Sequence, residues 1–143
     1  MGASLVHIGM TVTDIEKTSG FYIKHFGFRK DYGSLFDEGF FEEHHSVFRQ
    51  PAGISMEMQM IRSANGIMIE LFRFSNAEDG GDIEWQRTGY NHITLRVDDL
   101  PKAYERMKED GIEFLTPLLE RSRGDGHWLY LKDPDGNVVE LWD

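Results

Sequence analysis

The sequence predicts an α+β domain built from two similar halves, each reading strand, helix, then further strands. Three observations lead there: an internal echo, helix caps at matching places in both halves, and period-two strands that each carry one His or Glu on the polar side. His7-Ile-Gly-Met-Thr-Val-Thr-Asp-Ile-Glu-Lys17 is echoed by His92-Ile-Thr-Leu-Arg-Val-Asp-Asp-Leu-Pro-Lys102. Gly66-Ile-Met-Ile-Glu70-Leu-Phe72 is echoed by Gly136-Asn-Val-Val-Glu140-Leu-Trp142. The second spacing is shorter, so the first half carries about fifteen extra residues between Gly27 and Met56. The loop-like stretch Asp31–His45 falls there. A single domain over 1–143 is expected, with a first module at about 4–76 and a second at about 90–143.

The elements follow in order. Val6, Ile8, Met10 and Val12 alternate with His7, Gly9 and Thr11, the pattern of a strand with one apolar face. Asp14 and Asp99 stand where a helix N-cap is wanted. Pro101 falls in the first turn of the second helix, where a missing N–H costs nothing. Leu100, Ala103, Tyr104 and Met107 recur at helical spacing, and Gly111 ends that run as a C-terminal glycine does. Met56, Met58 and Met60 alternate as one strand face, which suits a pliable core. Ser75 to Gly89, with Gly80-Gly81, reads as the linker between halves. Asp133-Pro-Asp-Gly136 is a turn, because Pro fixes one dihedral and Gly permits positive φ.

Composition narrows the function. A hydrophobic fraction of 40% argues for a packed core over disorder. With no cysteine, any metal site must use imidazole and carboxylate donors. A net charge of -10 repels phosphate backbones and anionic lipid surfaces, so neither nucleic acid nor membrane is an expected partner. No apolar run approaches the roughly 20 residues that span a bilayer. The N-terminal residues lack the basic start and apolar core of a signal peptide, and a cytoplasmic location is expected.

Four polar side chains carry the chemistry. Glu70 lies opposite Ile69 and Leu71, Glu140 opposite Val139 and Leu141, and His92 opposite Ile93. His7 is likewise opposite Val6 and Ile8. Each therefore sits on the second face of its strand, away from the face that packs on helices. Two imidazoles and two carboxylates form a reasonable donor set for one divalent ion: nickel, cobalt, zinc, manganese or iron.

At these motifs the chain resembles the vicinal oxygen chelate superfamily, the group of glyoxalase I, bleomycin resistance proteins and dioxygenases. The carriers are Val6–Asp14, Phe21-Tyr-Ile-Lys-His-Phe-Gly27-Phe28, Ile69-Glu70-Leu71, His92–Asp99 and Asp133-Pro-Asp-Gly-Asn-Val-Val-Glu140-Leu141. The resemblance implies two pseudo-symmetric βαβββ modules whose mixed sheets curl around a metal held by His7, Glu70, His92 and Glu140. It also implies a homodimer. The His-Glu-His-Glu order is similar to bacterial-type glyoxalase I, which implies a lyase or isomerase acting on a small carbonyl or thiohemiacetal substrate through a metal-stabilised enediolate. Glu140 would move the proton as base, with Glu70 serving the opposite face. The alternatives within the same fold are an epimerase, a ring-cleaving dioxygenase and a non-catalytic drug-binding protein.

Further residues are weighed beside these four. Glu42-Glu43-His44-His45 reads as surface, since consecutive side chains of an extended segment diverge; the sharper reading makes Glu43 a second base. Trp85, Arg87 and Tyr90 suit either a substrate pocket or dimer packing. His127 and Trp128 precede a strand and suit the rim of the site. Arg62, Arg73, Arg96 and Arg121 are the cations available to an anionic substrate such as a glutathione adduct.

Overall fold

A computed structural model describes residues 2–143. Met1, the first residue of the segment tested for a signal peptide, lies outside them. The chain divides into two compact units, Met1–Asp79 and Gly80–Asp143.

In the first unit the order is β1 (His7–Thr11), α1 (Ile15–Phe26), β2 (Arg29–Phe36), α2 (Glu38–Glu43), α3 (His45–Phe48), β3 (Met56–Arg62) and β4 (Met68–Phe74). The strands form one sheet in the order β1-β4-β3-β2. β1 and β4 are parallel, while the β2–β3 and β3–β4 pairs are antiparallel. The helix α1 starts where Asp14 turns extended and its carboxylate accepts the Lys17 N–H at 3.0 Å. It stops at Gly27, whose φ of 69° lets the chain leave in the left-handed region.

That helix packs on the aliphatic face of the sheet. The Tyr22 hydroxyl reaches the Met10 sulfur at 3.9 Å, and Met10 is paired with Leu71. Tyr22, Ile61 and Leu71 are completely buried there. Each such side chain contributes about 1.5–3 kcal/mol from its removal from water.

The segment 31–45 is not a loop: it holds most of β2, all of α2 and the first residue of α3. Sequence pattern hid β2 because it is an edge strand, exposed along nearly its whole length, so no apolar alternation marks it. The helix α2 is set by Asp37, whose carboxylate accepts the Phe40 N–H at 3.3 Å. Phe41 of α2 is buried, with its ring 5.8 Å from that of Phe74.

The second unit repeats the plan without the extra helices. It runs β5 (His92–Arg96), α4 (Leu100–Glu109), β6 (Leu119–Glu120), β7 (His127–Lys132) and β8 (Val138–Trp142), with strand order β5-β8-β7-β6. Both units are therefore βαβββ modules, and each sheet is open. Asp99 caps α4 by accepting the Lys102 N–H at 3.0 Å, and Pro101 lies in its first turn. Gly111, at φ 73°, follows its end. Leu100, Met107, Leu129, Leu131, Val139 and Leu141 are completely buried and form this unit's core. The β7–β8 turn is held by Asp133, whose Oδ1 accepts the N–H groups of Asp135 and Asn137, both at 2.9 Å. Among the described residues no helix is long and apolar enough to cross a membrane.

Candidate metal centre

Strand register puts each Glu beside its His. In the first unit the middle strand β4 pairs Glu70 with Gly9 of β1 on one side and Met60 of β3 on the other. Paired residues of neighbouring strands share a face. His7, two residues before Gly9, is on that face too, and its Nε2 lies 3.2 Å from Glu70 Oε2. In the second unit β8 pairs Glu140 with Thr94 of β5 and Tyr130 of β7. His92 stands two residues before Thr94, and its Nε2 lies 3.3 Å from Glu140 Oε2. The four residues singled out from the sequence thus form two matching His–Glu pairs, one per module. Among the described residues no three His, Asp or Glu side chains gather at one point. Each pair offers two possible donors to a metal ion.

The pairs differ in their surroundings. Thr94 donates its hydroxyl to Glu140 Oε2 at 2.7 Å. Asn91 Oδ1 lies 2.7 Å from His92 Nδ1, and an amide oxygen only accepts, so Nδ1 carries a hydrogen and Nε2 is the ring nitrogen turned to Glu140. Tyr130 flanks both: its ring centroid is 5.3 Å from His92, and its phenol is pushed above the ordinary 10.0 by burial, then by the Glu140 charge and a hydrogen bond to that carboxylate. Trp85 closes the group, with centroids 5.8 Å from His92 and 5.3 Å from Tyr130, and Trp128 meets Tyr130 edge-on at 5.5 Å. The side chains of His92 and Glu140 are 26% and 10% exposed, against 43% and 19% for His7 and Glu70.

Asn91, Thr94 and Tyr130 were not singled out from the sequence. Thr94 and Tyr130 become neighbours of Glu140 only through sheet register, which residue spacing does not reveal. The methionines were read as core, and Met56, Met58 and Met60 are indeed 6% exposed or less. Register adds that they lie on the Glu70 face, opposite Phe74, Phe72 and Glu70.

The other residues considered lie elsewhere. His44 stacks on Phe40 at 4.4 Å, and its Nδ1 is 2.9 Å from the Phe40 carbonyl, a structural role at the end of α2. Glu43 and His45 are exposed. His127 pairs with Asp143, Nδ1 to Oδ2 at 3.2 Å. Tyr90 is fully exposed, and Arg87 meets Glu84 at 3.8 Å. Of the arginines, Arg62 is paired with Asp31, Arg73 with Glu57, and Arg121 with Asp125 while it lies over the Trp142 ring. Arg96, exposed and on the same strand face as His92 and Thr94, has no ion pair or hydrogen bond among the described residues.

The donor chemistry fits a divalent ion. Donors sharing an ion at about 2.0–2.2 Å lie about 2.8–3.6 Å apart along a tetrahedral or octahedral edge. The 3.2 and 3.3 Å separations fall inside that range. At the second pair, an imidazole lone pair and a carboxylate oxygen at 3.3 Å repel unless a cation or a second proton lies between them.

Several known proteins are similar to this chain. A protein from Pseudomonas putida named lactoylglutathione lyase is 29% identical, covering 94% of this chain and 82% of that protein. A glyoxalase family protein from Bacillus cereus superposes with a TM-score of 0.78 at 15% identity, over 96% of this chain and 91% of the other. A fosfomycin resistance protein from Listeria monocytogenes, solved with Mn(II) and a sulfate ion, is 26% identical with a TM-score of 0.63, over 99% of this chain and 93% of that one. The family model described as Glyoxalase/Bleomycin resistance protein/Dioxygenase superfamily matches residues 4–141. Two βαβββ modules, each ending in a Glu strand beside a His strand, and a family match over nearly the whole chain make this protein a member of that superfamily.

Proposed function

We propose that this chain is a metal-dependent lyase or isomerase of the glyoxalase I type, acting on a small carbonyl or thiohemiacetal substrate. One divalent ion would be held by His7, Glu70, His92 and Glu140. The observation that carries the reading is the repeated His–Glu pair, with donor separations of 3.2 and 3.3 Å at equivalent places in the two modules. The 29% identity to a lactoylglutathione lyase supports the same class.

When bound, such an ion polarises a substrate carbonyl and so acidifies the neighbouring C–H. The chain's own residues do the rest. Glu140, buried beside Tyr130 and Thr94, would accept the substrate proton and return it to the adjacent carbon, and Glu70 would serve the opposite face. Trp85 and Trp128 pack on Tyr130, and Trp85 also meets the His92 ring, giving a substrate apolar surface on that side. Arg96, a cation unpaired among the described residues and on the His92 strand face, suits a substrate carboxylate. The protein is proposed to be a homodimer, as symmetric pairs are the commonest oligomers. Light scattering at micromolar concentration is expected to return twice the 16.6 kDa chain mass.

The test is activity of the metal-loaded protein on the methylglyoxal–glutathione adduct, followed as product formation. Turnover that depends on added Ni(II), Co(II) or Zn(II) is the expected result. A fully loaded protein that leaves this adduct untouched but consumes fosfomycin would move the assignment to the second reading, which the 26% identity to the Listeria protein favours.

A further inference from the structure

Resting on the metal reading above, we infer that the two half-sites are unequal: the second module captures the ion first, and Asn91, Thr94 and Tyr130 are positioning residues that preorganise His92 and Glu140 for it.

The difference lies in what surrounds equivalent atoms. In the second module each donor has a further polar partner besides the other. Asn91 accepts from His92 Nδ1 at 2.7 Å, which fixes the ring with Nε2 turned to the Glu140 carboxylate. Thr94 holds Glu140 Oε2 at 2.7 Å, and Tyr130 packs across the strand from it. In the first module the equivalent positions are Gly9 and Met60. Neither offers a hydrogen-bond donor from its side chain. A Cβ built at Gly9 would come within 3.2 Å of the Phe72 ring, so that wall has no room for a hydroxyl-bearing side chain without rearrangement. Among the described residues the side chains of His7 and Glu70 contact only each other as polar partners, and both are more exposed than their counterparts.

Ordering a flexible donor costs conformational entropy, and a donor already fixed does not incur it on binding. The second pair therefore starts with lower cost and higher affinity. It also sits against the rings of Trp85 and Tyr130 and is less exposed than the first pair, which strengthens its electrostatic interaction with a cation. The ion would settle on His92 and Glu140, and His7 and Glu70 would complete its shell in a second step.

A fluorescence titration reads this directly, because all three tryptophans, Trp85, Trp128 and Trp142, belong to the second unit. Trp85 is 5.8 Å from the His92 ring. Co(II) added to the whole metal-free chain should quench this emission, with Kd obtained by competition against a chromophoric chelator. His7→Ala should still show the quench, with a modest rise in Kd. His92→Ala should lose it, with a Kd at least about tenfold above that of His7→Ala. Thr94→Val and Asn91→Ala should each raise Kd by about 10–100-fold, as loss of a supporting contact does elsewhere. Thr94→Ser, which keeps the hydroxyl, should retain the wild-type value. Equal losses in His7→Ala and His92→Ala would overturn the inference alone, as would a Thr94→Val that binds like wild type. A wild-type chain that binds no Co(II), Ni(II) or Zn(II) would overturn the metal reading and this inference with it. Should Asn91→Ala fail to fold, the contrast between Thr94→Ser and Thr94→Val still decides the matter.

Discussion

Glu70 and Glu140 occupy the same place in two copies of one plan, yet their neighbours differ in kind. Glu140 stands between Thr94 and Tyr130, two residues that bear hydroxyls. Glu70 stands between Gly9 and Met60, with Met58 paired to Phe72 further along the same face. The first module has filled its Glu-bearing face with thioethers and phenyl rings, and Phe41 of the inserted helix packs over Phe74. The second module has kept polar support there. A duplicated fold can thus hold its donor residues fixed while their supporting residues diverge, one half serving packing and the other precision.

The largest effect expected from breaking this contrast is on turnover. Glu140→Gln, compared with wild type in samples shown to be fully metal-loaded, should lose about 10²–10⁴ in kcat, because an amide oxygen can still coordinate but cannot accept a proton near neutral pH. Unchanged turnover would leave Glu140 a ligand only, with Glu70 as the base to test next. Next in size is stability. Met60→Ala should cost about 2–5 kcal/mol in urea unfolding, since Met60 is only 2% exposed and leaves a cavity. Tyr130→Phe, at the matching position of the second module, should change stability by about 1 kcal/mol or less while weakening metal binding. If Tyr130→Phe proves the more destabilising of the two, the division between a packing half and a polar half is wrong.

A smaller effect is expected at Arg96. Its removal as Arg96→Ala should raise KM for an anionic substrate about tenfold and leave kcat nearly unchanged, since a charged contact made equally in ground and transition states affects binding alone. The smallest is a pH effect confined to the second module. Burial opposes ionisation of Asp143, but hydrogen bonds from the His127 and Leu100 N–H groups outweigh it and hold the carboxyl below the usual 3.8. A carboxyl depressed in the folded state contributes stability that is present above its unfolded value and is lost as pH falls through the folded one. The wild-type chain should therefore lose stability as pH drops below about 4, and Asp143→Asn should flatten that part of the curve.

Much of this was legible in the residues. The echo of His7–Lys17 in 92–102 located both modules, and alternation put His7, His92, Glu70 and Glu140 on the polar side of their strands. Asp14 and Asp99 marked both helix starts because a cap is a local interaction, complete within four residues. What stayed hidden was non-local. The strand Arg29–Phe36 is an exposed edge with no alternation to betray it, and the helices after it depend on burying Phe41 against Phe74. Thr94 and Tyr130 lie 46 and 10 residues from Glu140 in sequence and meet it only through the register of β8 with its two neighbours. No spacing rule connects residues so separated.

The central claim is that His7, Glu70, His92 and Glu140 together hold one divalent ion. Elemental analysis of the chain after loading with Ni(II) or Co(II) and exhaustive desalting tests it most directly, beside His7→Ala/His92→Ala prepared identically. One ion per chain is expected in the wild type and essentially none in the double variant, with both proteins folded by circular dichroism. A wild-type chain that retains no ion, or a double variant that retains a full equivalent, would contradict it.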